Sequence, residues 1–172
     1  LSVGEAGRLL GLAHLIAGTG GTLLAGALMA LPQARDPRFV ARLLAWVTAL
    51  ATIPSLLLYW VPSAESATLW LWIFVPAVYF YIGPILGLLQ NVMPANMRAS
   101  ACAILLFSAN VANLILAPQL IGFLSDWFAA SFGAGRESLR WALLLLATTG
   151  LWAAWHLRVA AKTIRADEAR AT

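Results

Sequence analysis

The chain is poor in charge, and that scarcity excludes a soluble fold. Only 10% of its 172 residues are charged and 62% are apolar, whereas soluble domains carry about 25% charged residues. A soluble chain of this length has too little interior to hide so much apolar surface. The sequence therefore predicts an integral membrane protein whose solvent is the lipid bilayer.

Cysteine is also scarce. The single cysteine, Cys102, excludes an internal disulfide and cannot by itself form a thiolate metal site. Because it lies within an apolar run, we interpret it as a small core residue. The sequence holds no metal-ligand cluster, nucleophile motif or phosphate-binding loop, and nothing in it points to a cofactor or to a nucleic-acid partner.

Acidic side chains are missing from the long apolar segments. All seven lie at segment ends, in loops or in the tail: Glu5, Asp36, Glu65, Asp126, Glu137, Asp167 and Glu168. Acid–base catalysis needs positioned titratable groups, and none is paired here. We therefore do not expect an enzyme.

What the chain does contain is five long apolar runs. A spanning helix needs about 20 apolar residues, and the runs at 9–31, 39–61, 69–92, 99–124 and 139–157 meet that length. The short connectors carry proline and glycine and force antiparallel neighbours. Strands are excluded because the runs are too long and do not alternate. We predict an all-α polytopic membrane bundle of five transmembrane helices over residues 1–172, ending in a cytoplasmic tail at 158–172.

The basic residues are divided unequally between the two ends of this bundle. Three lie at one end: Arg8, Arg136 and Arg140. Eight lie at the other, in the connector after the first span, at the start of the fourth span and in the tail: Arg35, Arg38, Arg42, Arg98, Arg158, Lys162, Arg165 and Arg170. The positive-inside rule then places the tail in the cytoplasm of a bacterial inner membrane. Five spans put the N-terminus outside without a signal peptide, so we expect a further helix before Leu1.

The five spans differ in chemistry. The first carries small residues on roughly one face: Gly7, Gly11, Gly18, Thr22 and Gly26. Such a face lets helices approach closely in lipid and fits either a sliding interface or static packing. The second and fifth spans are mainly leucine, alanine, valine and tryptophan. Their few hydroxyls can bond to their own helix backbone, so we interpret both spans as lipid-facing.

The third span is interrupted by prolines. Pro76 and Pro84 each remove a backbone hydrogen bond and predict a kink. Tyr79, Gly83 and Gln90 lie on adjoining positions of one face, and we predict that this face lines a cavity. Ordinary packing of the tyrosine is the alternative.

The fourth span carries two amides. Asn110 and Asn113 follow Phe107 at three-residue spacing, which makes one stripe. They serve either interhelical hydrogen bonds or a polar patch in a substrate path. His14 is the only readily titratable group inside a span, with either a proton-linked role or a packing role.

These residues carry a family resemblance. The segments that carry it are Gly83-Pro84, Gln90, the run Pro94-Ala95-Asn96-Met97-Arg98-Ala99-Ser100-Ala101, Asn110, Pro118, Gly122 and Leu124-Ser125-Asp126, with Gly4-Glu5-Ala6-Gly7, Gly20-Gly21-Thr22 and Arg35-Asp36-Pro37-Arg38 earlier in the chain. The chain resembles the major facilitator superfamily and, within it, the Spinster-like transporters.

The resemblance implies a secondary transporter that works by alternating access. The five spans would be helices eight to twelve, and helices one to seven would be the missing partner. The third span would line the central cavity, the first and fourth would form the moving interface, and the second and fifth would be outer supports. The cargo would be a small amphiphilic or organic solute, lipid-like in Spinster relatives. A non-transporting membrane subunit or scaffold is the alternative from another class.

The same resemblance indicates loop residues with a gating role: Arg35, Asp36, Arg38, Arg98 and Asp126. Arg98 would anchor its loop by pairing or by contact with anionic lipid. Two departures stand out. Ala30 occupies the position of a family aspartate that belongs to the cytoplasmic charge latch, and Asn113 stands where a glycine is expected.

Overall fold

Five long helices make up the chain in the computed structural model, which describes residues 2–171. Leu1 and Thr172 lie outside the described residues, as do the side chains of Arg136 and Ala171. The helices are α1 (Val3–Met29), α2 (Pro37–Trp60), α3 (Ala64–Asn91), α4 (Arg98–Phe132) and α5 (Ser138–Arg170), all long and apolar enough to cross a membrane. The described part contains no strand, and the predicted all-α bundle with five spans is confirmed.

The helices extend beyond the apolar runs. A run marks what lipid can cover, whereas backbone hydrogen bonding continues through polar residues until a capping residue stops it. At the start of α1, the Glu5 backbone N–H donates to Ser2 Oγ at 3.3 Å and the Ser2 N–H donates to Glu5 Oε2 at 2.7 Å, which forms a capping box. At the end of α4, Gly133 adopts φ 62°, a left-handed conformation that glycine tolerates. The predicted tail is helical, since α5 continues to Arg170.

The centre of the bundle is α2, which packs against both α3 and α5. The prediction that the second span is lipid-facing is wrong for one of its faces. That face is buried and largely small: Val40, Ala41, Leu44, Ala45, Thr52 and Ser55. Small side chains let helices approach closely, so a Cβ added to Gly150 of α5 would lie 2.5 Å from Thr52 Oγ1. The opposite face exposes Trp46, Leu50 and Ile53.

The core lies where four of the helices meet near the first connector. Its buried members come from α1, α2, α3 and α5: Ala25, Val40, Ala41, Leu44, Phe80, Leu88, Ala161 and Ile164. Helix α4 contributes none of them, because no residue of its most apolar window is buried. It contacts α5 through its last half and α3 beside their connector. One broad side of α4 is therefore uncovered within this chain.

The chain reverses direction at each connector, as its short loops predict. Asp36 in the first connector pairs with Arg165 near the end of α5, at 3.1 Å. At the other end, the rings of Trp60 and Trp141 meet edge to face with centroids 6.3 Å apart. We call the end with Asp36, the α3–α4 connector and the end of α5 the basic end, and the other the opposite end.

Two helices contain a turn of π-helix. In α1 it spans Ala13–Gly18, and in α4 it spans Ala112–Leu116, directly before Ala117 and Pro118. A proline ring collides with the carbonyl four residues earlier, so a widened turn at that point lets α4 continue past Pro118. Such turns are frequent at functional sites.

Candidate functional site

A cavity of about 450 Å³ opens between α1, α3 and the first connector, on the side of the basic end. Tyr79, Gly83, Gly87 and Asn91 line it from α3 at four-residue intervals. The other walls come from α1, the connector and the start of α2: Thr22, Ala25, Gly26, Met29, Ala34, Pro37 and Val40. The two glycines of α3 leave the space open, since a Cβ on either would touch nothing within 4 Å.

A second cavity, of about 540 Å³, lies between the same two helices toward the opposite end. His14 and Tyr79 line it together with a largely apolar set from α1, α2 and α3: Ala6, Leu9, Leu10, Leu58, Tyr59, Ala64, Ala67, Thr68, Leu71, Phe74, Val75 and Val78. The two cavities therefore follow the same α1–α3 seam from the two ends of the bundle. Tyr79 is the residue common to both.

The ring of Tyr79 lies in the seam where the two cavities meet. It packs on Gly18 of α1 so closely that a Cβ there would lie 2.9 Å from both Cδ2 and Cε2 of the ring. One turn further along α1, Gly21 faces the backbone of Pro76, whose Cα would be 2.8 Å from an added Cβ. His14 contacts the other side of the tyrosine edge to face, with centroids 5.9 Å apart. Tyr79 is therefore packed between Gly18 and His14 of α1 at the junction of the two cavities.

Only some of the small residues of α1 reach α3. The predicted small face contacts α3 only in part. Gly18 meets Tyr79, but a Cβ added at Gly7, Gly11 or Gly26 would have no atom within 4 Å. Gly21, outside the predicted stripe, makes the tightest approach. Thr22 and Gly26 of the stripe line the first cavity, so among the glycines of α1 the close contacts with α3 are made by Gly18 and Gly21.

The side chain of His14 is engaged with its own helix. Its Nδ1 lies 2.8 Å from the carbonyl oxygen of Leu10, and the rest of the ring is exposed to the second cavity. Hydroxyls take up other carbonyls of the same region, as when Thr22 Oγ1 donates to the Gly18 oxygen at 3.1 Å. These bonds satisfy groups that a widened turn leaves poorly paired.

The structure brings Tyr79 and Gly83 together in the first cavity, but not the other three predicted cavity residues. Gln90 lines neither cavity, and its Nε2 lies 3.6 Å from Cys102 Sγ at the start of α4. Asn110 is exposed on α4 and donates to the Leu106 carbonyl of its own helix at 2.9 Å. Asn113, in the π turn of α4, is exposed as well. The amide stripe therefore lies on the uncovered side of α4.

Asn91 and Thr22 are polar lining residues that the sequence pattern misses. In an ideal helix of 3.6 residues per turn, Gln90 lies about 20° from Tyr79 and Asn91 about 120° away. Periodicity alone therefore favours the wrong amide. The cavity extends around the inner end of α3 toward the first connector, and that curvature is a property of the packed helices.

Of the predicted gating residues at the basic end, Asp36 makes the most contacts. One carboxylate oxygen accepts the Arg38 backbone N–H at 3.0 Å and caps α2, while the other accepts from Arg165 at 3.1 Å. Arg38 Nε is buried without a hydrogen-bond partner among the described residues. Arg35 is exposed at the end of the connector's 3₁₀ turn.

The other two predicted loop residues lie on α4, one near each end. Arg98 Nε donates to the Met93 carbonyl at 3.2 Å, which fastens the α3–α4 connector to the first turn of the helix. Asp126 is exposed near the opposite end. Its neighbour Ser125 bonds to Ser138 at the start of α5, with 3.0 Å between the two hydroxyl oxygens.

Comparison with known proteins adds one relative. No protein-family model and no solved structure matches the chain. Over 146 residues, 85% of its length, the chain is 31% identical to a protein named MFS-type efflux pump from Mycolicibacterium smegmatis. The match supports an MFS-like membrane transporter. The chain spans about a third of that relative's length, 33%.

Proposed function

We propose that the chain is part of a major facilitator transporter that moves a small amphiphilic or organic solute across the membrane. One observation carries the proposal. The α1–α3 seam holds one cavity nearer each end of the bundle, and Tyr79, which lines both, packs against Gly18. Alternating access needs a closed barrier that yields to either side, and a single aromatic ring on a glycine is a barrier that a small helix movement opens.

The backbone of α3 supports this role because it is weakened on both sides of the barrier. Pro76 and Pro84 lie in the helix interior, and each removes a backbone hydrogen bond within about two turns of Tyr79. Bending at these points changes the distance between the Tyr79 ring and α1. The two prolines that predict a kink therefore lie in the same helix as Tyr79.

The linings of the cavities favour an amphiphilic cargo. The second cavity is mostly apolar, the first has the polar side chains of Thr22 and Asn91, and Tyr79 lines both. An apolar pocket with a few polar groups orients a molecule that has one polar end. We extend the proposal to lipid-like cargo of the Spinster type. The relative is named an efflux pump, which favours export as the direction.

The uncovered side of α4 fits a place within a longer transporter. Asn110 and Asn113 are exposed there, and a bare amide is costly against lipid tails. A relative about three times as long as the matched region has enough additional length for further helices that would cover that side. We propose that helices one to seven of the same transporter do so, with the basic end in the cytoplasm of a bacterial inner membrane.

Substitution of Tyr79 tests the proposal in the full-length transporter. Tyr79→Ala removes the ring that closes the seam, and we expect coupled transport of an amphiphilic fluorescent dye in proteoliposomes to fall about tenfold or more, a change of ~1.4 kcal/mol. Tyr79→Phe keeps the ring and should retain most activity. Tyr81→Ala is the matched control, because Tyr81 is 38% exposed and lines neither cavity.

Membrane abundance of each variant is measured by immunoblotting, so that loss of protein is separated from loss of transport. If the wild type transports the dye and Tyr79→Ala transports it as fast as Tyr81→Ala does, Tyr79 is not the barrier. If correctly inserted wild-type protein shows no gradient-driven flux with either lipid-like or cationic dyes, a membrane subunit or scaffold is favoured instead.

A further inference from the structure

A groove between α2 and α5 at the basic end is lined by three cations and one tryptophan. Arg42 and Trp46 come from α2, and Arg158 and Lys162 come from α5. Each pair is four residues apart, which places both members on one helix face. The floor is formed by Ala45 and Ala161, which are both buried, and the groove encloses about 320 Å³.

The positive charge of this groove is uncompensated. Among the described residues, no carboxylate forms an ion pair with Arg42, Arg158 or Lys162, and the nearby acids are engaged elsewhere. Asp36 pairs with Arg165 at 3.1 Å, and Asp167 pairs with Arg170 at 3.5 Å. Three like charges around one concave site repel one another, and an anion within the groove would relieve that repulsion.

One of the cations is already held in position. The Arg158 guanidinium carbon lies 5.6 Å from the centroid of the Trp46 ring, a distance at which a cation is attracted to the face of an aromatic ring. The N–H groups of Arg158 remain free of any described acceptor. A guanidinium presents its donors in a planar fork that suits phosphate oxygens.

Helix length places the groove at the depth of lipid headgroups. Helix α2 has 24 residues, or about 36 Å at 1.5 Å per residue, which exceeds the roughly 30 Å of hydrocarbon. Arg42 lies in its second turn. On α5, Arg158 is 20 residues after Ser138, again about 30 Å along the helix. The positions along both helices therefore put the cations at the boundary between hydrocarbon and headgroups.

Apolar side chains continue from the groove toward the middle of the membrane. Helix α2 exposes Leu50 and Ile53 beyond Trp46, and α5 exposes Trp155 and Leu151 beyond Arg158. This strip offers contact to an acyl chain, whereas a free anion would gain nothing from it. The observations thus combine a phosphate-binding head with an apolar track.

We infer that this groove binds the phosphate group of an anionic membrane lipid, with Arg42, Arg158 and Lys162 on the phosphate and the acyl chains along the exposed face of α2 and α5. The binding is independent of the proposed transport function, because the groove shares no lining residue with either cavity. The shared chemistry of the ligand is a phosphate, which a lipid or inorganic phosphate could supply.

Native mass spectrometry of the purified protein in micelles tests the inference. Phosphatidylglycerol, phosphatidylcholine and inorganic phosphate are titrated separately. We expect one phosphatidylglycerol to bind more tightly than phosphatidylcholine, and the triple variant Arg42→Gln/Arg158→Gln/Lys162→Gln to lose on the order of 100-fold in affinity, at about fivefold for each cation. Arg158→Lys keeps the charge and should lose far less than Arg158→Gln.

A matched triple variant, Arg35→Gln/Arg165→Gln/Arg170→Gln, removes the same charge from the same end without touching a residue that lines the groove. It should bind phosphatidylglycerol as the wild type does. Equal losses in the two triple variants would overturn the site, since net charge alone would then explain binding. The site would also be overturned if the groove triple variant kept its helical circular dichroism and bound phosphatidylglycerol as tightly as the wild type. Inorganic phosphate binding as tightly as the lipid would overturn the lipid assignment.

Discussion

Replacing Gly21 with alanine would force α1 away from α3, because the new Cβ has no space. It would lie 2.8 Å from Pro76 Cα and 2.9 Å from Pro76 C, whereas carbon atoms in contact are about 3.5–4.0 Å apart. The atoms met are backbone, so no side-chain rotation relieves the overlap. The helices would have to separate by roughly 1 Å, and a gap of that size forfeits about a quarter to a half of each contact along the seam.

The expected cost is that of overpacking a fitted interface, ~1–3 kcal/mol. At tenfold per 1.4 kcal/mol, the folded-to-unfolded ratio falls by a factor of roughly 5 to 150. The measurement is unfolding of the purified protein in mixed micelles as the fraction of sodium dodecyl sulfate rises, followed by circular dichroism.

Gly20→Ala is the matched control, since a Cβ at Gly20 would meet nothing within 4 Å. Both variants gain the same helix propensity, about 1 kcal/mol in a helix interior, so their difference isolates the contact with α3. If Gly21→Ala proves as stable as Gly20→Ala, the close approach of α1 and α3 is wrong, and the barrier at Tyr79 loses its support.

Two further predictions concern the basic end. Arg165→Gln should lower the free energy of unfolding by at most about 1 kcal/mol in the same titration, because its ion pair with Asp36 is solvent-exposed. Asp36→Ala should lower it by about 1 kcal/mol more, since it also removes the N-cap of α2. Equal losses in the two variants would contradict the capping role of Asp36. The second prediction uses a Cys102→Ala background, in which a single cysteine replaces either Gln33 at the basic end or Ala64 at the opposite end, both exposed. A membrane-impermeant maleimide added to intact cells should label the cysteine at position 64 but not the one at position 33. The reverse pattern would contradict a cytoplasmic basic end.

Much of the fold follows from composition and length. Apolar runs of about 20 residues leave a bilayer-spanning helix as the structure that satisfies its own backbone, and short connectors allow only antiparallel neighbours. The five spans and the connectors at Asp36 and Gly133 are therefore fixed by local sequence. Their exact ends depend on capping, which extends α1 to Val3 and α4 to Phe132.

The site could be foreseen only in part. Tyr79 and Gly83 were recognisable from their shared face on a proline-containing span, and both line the first cavity. Gly21 and Asn91 were not, because their roles depend on how a second helix lies against them.

What the sequence determines here is which segments are helices, how they alternate across the membrane and at which end the positive charge collects, since each of these is set by local chemistry and chain length. Only the tertiary structure decides that α2 is central, that Gly18 and Gly21 lie against α3, and that Arg42 meets Arg158 and Lys162 in one groove. The physical reason is that helix periodicity specifies the faces of a helix, but only packing against its neighbours selects the face that is buried.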